Sequence, residues 1–344
     1  MTGITRRTFA ASSIALACRG WSTTASAAAP PLARVICDND WSGDPDGLFQ
    51  LAQQLLSPSI DIPLIVGSNV PTDMPWITSK TPATDARDKA IELLQVMGRA
   101  RDYKVLAGAE TAIATRAGWR SGPATSTIVA EALREDARGQ LVYAAGAGLT
   151  ELALAWLAEP RIGPKVRLVW IGGNEHPALA YPPPGPPQRE FNLSIDPIAA
   201  QIIFNESDIE IWQVPRNVYR QMLMSTAELA ELAATGPLGR YLVGQIKRVQ
   251  AEVAGLKIFA DKPRSETYVL GDSPLVTLTA LQTFFEPDPA SSSYVLKPTP
   301  LVDLQGNYTH NPNGRAMRVY SAIDTRLTFG DMLAKFRAAD ARLK

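Results

Sequence analysis

Residues Arg34 to Gly47 read RVICDNDWSGDPDG. A short apolar run, Val35, Ile36 and Cys37, ends in Asp38, Asp40, Asp44 and Asp46, and nothing else in the chain concentrates like charge so tightly. Carboxylates this close raise one another's pKa values and destabilise a fold unless a cation, a polar ligand or solvent takes up the charge. The apolar run predicts a buried strand, and LFQLAQQLL at 48–56 predicts an amphipathic helix. The acids therefore fall on a strand-to-helix turn, which in an open parallel α/β sheet lies at the carboxyl edge where ligands bind. An Asp-rich turn also arises as a plain helix N-cap, with Asp44 or Asp46 accepting free amides at the positive end of the helix dipole. Oxygen ligands at short spacing suit a hard ion, Ca²⁺ or Mg²⁺. The spacing is not that of an EF-hand loop, because no Glu follows at the twelfth position.

Ahead of this stretch, residues 1–27 have the form of an export signal. Arg6 and Arg7 are paired, an apolar stretch runs from Phe9 to Cys18, and Ala25, Ser26 and Ala27 make an AxA cleavage site. The twin-arginine reading is favoured; Cys18 after Leu16 and Ala17 is the weaker lipoprotein alternative. The expectation is a periplasmic or secreted protein. No later segment offers about 20 consecutive apolar residues, so no membrane span is expected.

The whole chain carries 34 basic and 34 acidic residues. Residues 1–27 hold three Arg and no acid, so the mature chain has 31 against 34, a slight negative balance. That balance offers no electrostatic reason to bind nucleic acid or anionic membranes. Only Cys37 of the two cysteines lies beyond the signal, so the mature protein relies on its core and not on an internal disulfide. Oligomeric state is open, a homo-oligomer being compatible with the sequence.

Beyond residue 56 strand-like and helix-like segments alternate. IDIPLIVGSNV (60–70), KVLAGAE (104–110), QLVYAAGAG (140–148), VRLVWIGGN (166–174) and IEIWQVP (209–215) read as strands, separated by helical segments at 83–100, 126–136, 149–159 and 196–207. Such alternation predicts right-handed βαβ units and a Rossmann-like open, mainly parallel sheet with helices on both faces. A helical stretch at 227–256 is broken near Gly236 and Pro237, and 293–324 reads as a strand pair around a turn before a final helix. With no repeat or low-complexity linker, residues 28–344 are expected to form a single domain.

Polar residues recur at the strand ends: Asn69, Gly146 and Gly148, Asn174, then Glu190 and Asn192 in REFN, and Asp272 in LGDSP ahead of a helix. Singly, each has a local explanation as a turn residue or cap. In a parallel sheet the ends converge on one crevice. Here the resemblance becomes specific. DND with an acidic turn and an apolar helix, VGSN, GLTELALA, the pair IGGN and EFNLSIDPIAA, and a late Asp before a helix together resemble the inosine-uridine preferring nucleoside hydrolase family, in the family's order from about Arg34 to Leu281.

The resemblance implies a Ca²⁺-dependent hydrolase of the N-glycosidic bond of a ribonucleoside. It implies Asp40 as metal ligand and as the base that takes a proton from the attacking water, with Asp44, the Gly146 carbonyl and Asp272 completing the metal donors. Asp46, Asn69, Asn174, Glu190 and Asn192 would hold the ribose. The chemistry suits these residue types, because an oxocarbenium-like state needs an activated water and anionic or amide groups gripping the sugar. Three departures stand out. DPDG replaces adjacent aspartates, so Asp44 and Asp46 compete for the metal and sugar roles and the swap is equally defensible. A Pro-rich insertion at 175–189 predicts a stiff loop near the site. Gly271 stands where many relatives have His, leaving the leaving group without an obvious acid. Trp41 is a candidate for stacking on a base or for packing under the loop, His176 for reaching the leaving group, and His310 for turn chemistry. Two other readings stay open: a non-catalytic periplasmic nucleoside- or sugar-binding protein, and a hydrolase of another ribosyl or glycosyl compound.

Overall fold

A computed structural model describes residues 30–71, 79–256, 265–283 and 292–343; the export signal expected at 1–27 lies outside them. Within it the strands are β1 (Ala33–Asn39), β2 (Ile60–Gly67), β3 (Val105–Ala107), β4 (Gln140–Ala145), β5 (Val166–Ile171), β6 (Glu210–Val214), β7 (Leu223–Ser225), β8 (Thr267–Val269), β9 (Ser293–Pro298), β10 (Leu301–Val302), β11 (Tyr308–Thr309) and β12 (Ala316–Ala322). The main sheet runs β3-β2-β1-β4-β5-β6-β12-β9. Every pairing in it is parallel except that of β12 with β9.

All seven positions of β1 are buried, because helices cover both faces of a parallel sheet and its strands become near-continuous apolar runs. Val35 and Cys37 join one core layer with the helices Asp46–Leu55, Pro82–Val96, Pro237–Ala254 and Thr325–Leu343; Ile36 joins the other with Pro123–Ala132 and Thr150–Ala158. The order reverses at β1: the chain steps outward to β2 and β3, then returns to pair β4 on the other side. That reversal opens a crevice beyond the carboxyl ends of β1 and β4.

The helix after the acids is not amphipathic in the sense expected. Every residue from Gly47 to Leu55 is buried, and its glutamines are tied internally: Gln53 Nε2 donates to the Thr328 carbonyl (3.1 Å) and to Asp331 Oδ2 (2.8 Å), and Gln54 Nε2 to Thr279 Oγ1 (3.2 Å). Buried polar groups are tolerated when so paired. The stretch at 227–256 divides as expected into Thr226–Thr235 and Pro237–Ala254. The segment at 196–207 is a short helix, Pro197–Gln201, continued by a π turn, Ile202–Glu206. β9 and β12 are the expected strand pair, with a small β10–β11 ladder between them. β7 and β8, three residues each and antiparallel, were too short to show alternation. Among the described residues no helix is long and apolar enough to cross a membrane, and Cys37 is a free buried thiol.

Asp340 of the C-terminal helix is fully buried and caps a different helix. It accepts the amides of Leu238 (2.7 Å) and Gly239 (3.2 Å) and the hydroxyl of Thr235. Asp340→Ala is expected to cost about 2 kcal/mol, because it strands buried donors at a helix N-terminus. The check is a lower denaturant midpoint with an unchanged slope; an unaltered midpoint would remove this cap from the stability argument.

Candidate active site

At the carboxyl edge a cavity of about 480 Å³ is lined by Asp40, Asp44, Asp46, Gly146, Glu190, Asn192, Tyr219, Tyr268, Gly271 and Asp272, with Val70, Phe191, Val249 and Val253 among its apolar walls. Seven of the nine residues expected at the site from sequence are brought together by elements distant in the chain; only Asn69 and Asn174 stand apart from the lining. Asp40 follows β1, Gly146 follows β4, and Asp272 precedes the helix Pro274–Thr279.

Asn39, the last residue of β1, organises the acids. Its Nδ2 donates to Asp272 Oδ2 at 2.8 Å and its Oδ1 accepts the Asp40 amide at 2.9 Å. Two glycines make room for it: a Cβ on Gly146 would stand 2.2 Å from Asn39 Nδ2, and one on Gly47 would stand 2.7 Å from it. Gly47, which departs from the family's acidic pair, is thus a packing necessity here. Asp46 lies deep, accepting the amides of Gly47 (2.9 Å) and Asp272 (3.2 Å). Asp44 is exposed at the mouth, where Tyr268 donates its hydroxyl to Oδ1 at 2.7 Å. Asp46 thus stands against Asp272, and Asp44 at the mouth against Tyr268.

Burial pushes the carboxyls of Asp40 and Asp46 well above the usual range, and the neighbouring charges of Asp272 and Asp44 push them further. Burial lifts Asp272 to about 7, partly offset by the hydrogen bond from Asn39. Protein atoms crowding the Asp44 carboxylate raise it too, against the Tyr268 hydroxyl, although the residue as a whole is exposed at the mouth. Asp38 stands apart from the cavity, bonded to Ser68 and Tyr143, with burial raising it to about 7. The remaining acids crowd like charge around oxygen donors only, a set whose chemistry fits a hard cation. Among the described residues no group of three or more His, Cys, Asp or Glu side chains is so placed that it could hold a metal ion.

Glu190 is the N-cap of the short helix Phe191–Ile195. Its carboxylate accepts the amides of Gly173, Asn192 and Leu193 and the Tyr219 hydroxyl, at 2.7 to 3.1 Å. Asn192 Nδ2 is committed to the carbonyls of Gly146 (2.9 Å) and Ile171 (2.7 Å), so Oδ1 is its acceptor for a ligand. Asn69 and Asn174 lie off the lining. Asn69 donates to the Ala109 carbonyl (3.1 Å); Asn174 donates to the Gly306 carbonyl (3.0 Å) and accepts the Glu190 amide (2.8 Å). Of the two, Asn174 holds a residue of the lining, through the Glu190 amide.

Trp41 packs under the loop, 1% exposed, its indole N–H on the Val66 carbonyl at 3.1 Å. His176 is 2% exposed, bonded through Nε2 to Gln213 Oε1 (2.8 Å) and stacked on Tyr308 at 4.5 Å; neither it nor exposed His310 lines the cavity. The insertion at 175–189 is anchored by the Glu175–Arg216 ion pair at 2.6 Å and by Arg216 on the Gln188 carbonyl at 3.1 Å. Sequence reasoning missed Asn39, Tyr219 and Tyr268. Asn39 was in view inside DND; the tyrosines carry no local signal.

Known proteins are similar to this chain in sequence and in fold. The family description "inosine-uridine preferring nucleoside hydrolase" matches residues 35–342. Two curated proteins of that description are similar over short stretches: one from Leishmania major, 48% identical over 61 residues (17% of this chain, 18% of that protein), and one from Crithidia fasciculata, 46% identical over 68 residues (20% and 19%). The match thus spans under a fifth of the length of those relatives. In fold, the chain is similar to a purine-preferring ribonucleoside hydrolase from Gardnerella vaginalis (TM-score 0.68, 17% identity, 89% of this chain and 99% of that one). It is also similar to a plant nucleoside hydrolase (TM-score 0.67, 20% identity, 90% and 100%). Because the family description covers nearly all of the sheet and every acid of the cavity, the chain belongs to the inosine-uridine preferring nucleoside hydrolase family.

Proposed function

We propose that this protein hydrolyses the N-glycosidic bond of a ribonucleoside to ribose and free base, with Ca²⁺ as its cation, after export through the twin-arginine-type signal at 1–27. The observation that carries the reading is the meeting of Asp40, Asp46, Asp272 and Gly146 with Glu190 and Asn192 in one cavity. Asp40, Asp46, Asp272 and the Gly146 carbonyl are the residues that would hold the ion, whose Lewis acidity would make a water a better nucleophile at neutral pH. Asp40, just past the end of β1 and in the cavity, accepts the proton of the attacking water. Glu190, Asn192 and Asp44 accept the ribose hydroxyls, and an anionic surround stabilises the oxocarbenium-like state. Tyr219 keeps Glu190 aimed.

Asp40→Ala is expected to lower turnover by at least ~10³-fold, measured as ribose release from inosine and uridine with Ca²⁺ present. Chelation should lower both activity and melting temperature, because a cation that binds only the folded acids stabilises the fold by linkage; an unchanged melting temperature and turnover would sink the metal assignment.

Asn192→Ala is expected to raise KM about tenfold or more and to lower the melting temperature slightly, since the Gly146 and Ile171 carbonyls lose their donor. Glu190→Ala should raise KM and also lower the melting temperature, since four donors lose their acceptor. Unchanged KM in both variants would refute the sugar assignment.

His176→Gln should keep most of the turnover, since the ring lies outside the cavity. Burial lowers this imidazole to about 4 from an ordinary 6.5. A depressed value means that the stabilisation is present above pH 6.5 and is lost as the pH falls through 4. The sum is about 3 kcal/mol. The variant should therefore show a flatter acid limb in a stability–pH profile; an identical limb would show that His176 is not what titrates.

A further inference from the structure

We infer that the preferred substrates are N-ribosyl pyridinium compounds, cationic N-glycosides of ribose whose leaving group departs as a neutral ring. The inference rests on the hydrolase reading above and names the substrate class for the same site.

Two independent observations lead there. First, the cavity supplies no imidazole. The chain has two histidines; His176 is sealed between Gln213 and Tyr308, and His310 lies on an exposed turn away from the lining. Both tyrosine hydroxyls in the cavity already donate, Tyr219 to Glu190 and Tyr268 to Asp44. A Cβ on Gly271 would meet Tyr219 Cδ2 at 3.2 Å and Asp46 Oδ2 at 3.3 Å, so a tyrosine ring fills the place from which a side chain there would act. A neutral nucleoside expels its base as an anion unless a proton is delivered. A ribosyl pyridinium needs none: the C1′–N bond breaks with its electron pair returning to the ring nitrogen, which becomes uncharged. The C1′–O bond forms to water, and the water's proton passes to Asp40 and on to solvent.

Second, the described lining has the chemistry of a flat cation's pocket. Six acidic side chains line it, Asp40, Asp44, Asp46, Glu190, Asp272 and Glu252; Glu252 is paired with Arg248, and the other five are more than one divalent ion neutralises, while no Lys or Arg among the described residues lines the cavity. Phe191, Tyr219 and Tyr268 add aromatic rings, whose faces attract cations. Such a lining disfavours phosphorylated ribosides by like-charge repulsion.

The experiment compares kcat/KM for 1-(β-D-ribofuranosyl)pyridinium, p-nitrophenyl β-D-ribofuranoside, inosine and uridine, using the mature protein with Ca²⁺. The p-nitrophenyl compound also leaves without protonation but is uncharged, so it separates the missing acid from the preference for a cation. The expected order is pyridinium above p-nitrophenyl above both nucleosides, with the pyridinium ahead of inosine by at least ~10²-fold, the contribution of an absent general acid. If inosine or uridine equals or exceeds the pyridinium compound, the substrate inference falls while the hydrolase reading stands. If the p-nitrophenyl compound is cleaved and the pyridinium is not, the cation preference is overturned. If no compound releases ribose, the hydrolase reading itself fails.

Discussion

The site depends on like charge being held together against its own repulsion. Asp40, Asp46 and Asp272 share one end of the sheet, where burial and mutual repulsion raise all three. Such an arrangement persists only where the surrounding structure over-determines it. Asn39 supplies much of that constraint. One amide group receives the Asp40 backbone and reaches Asp272, 233 residues along the chain. The two glycines that face Asn39 keep its approach open, and the fully buried helix behind the acids prevents the turn from relaxing outward.

A second ring of contacts works outward from Glu190. The carboxylate caps its own short helix, receives Gly173 from beyond β5, and is held by Tyr219. Asn174 fixes the Glu190 amide while tying itself to Gly306. Residues that sequence patterns assign to the sugar are therefore divided between those that line the cavity and those that hold the liners. The second group matters for geometry: displacement of a positioned group by about an ångström carries a large cost in rate.

The active cavity and the cores are segregated by chemistry. Both aromatic and imidazole candidates of the sequence, Trp41 and His176, are drawn into packing, each with its polar atom satisfied, as buried amphipathic rings require. The rings that do face the cavity, Tyr219 and Tyr268, come from the segments after β6 and in β8. Their hydroxyls serve as donors to carboxylates, and so they tune the acids without neutralising them.

Much of this was legible in the one-dimensional chain. Alternating apolar runs and amphipathic segments determine an α/β parallel sheet because periodicity is local, and the Asp cluster marks its carboxyl edge because a strand followed by a helix must turn there. The order of EFN, DPIAA and the late Asp pointed to the family. What only the tertiary structure decided is which of these residues meet. Asp46 rather than Asp44 lies deep, because its oxygens meet the amides of Gly47 and Asp272, whereas Asp44 is held at the mouth by Tyr268. Asn69 and Asn174 turn to backbone carbonyls, and Tyr268 arrives on a three-residue strand too short to carry a pattern. Contacts of that kind depend on where distant segments pack, and hydrophobic periodicity specifies a buried face without specifying the side chain that will stand opposite it.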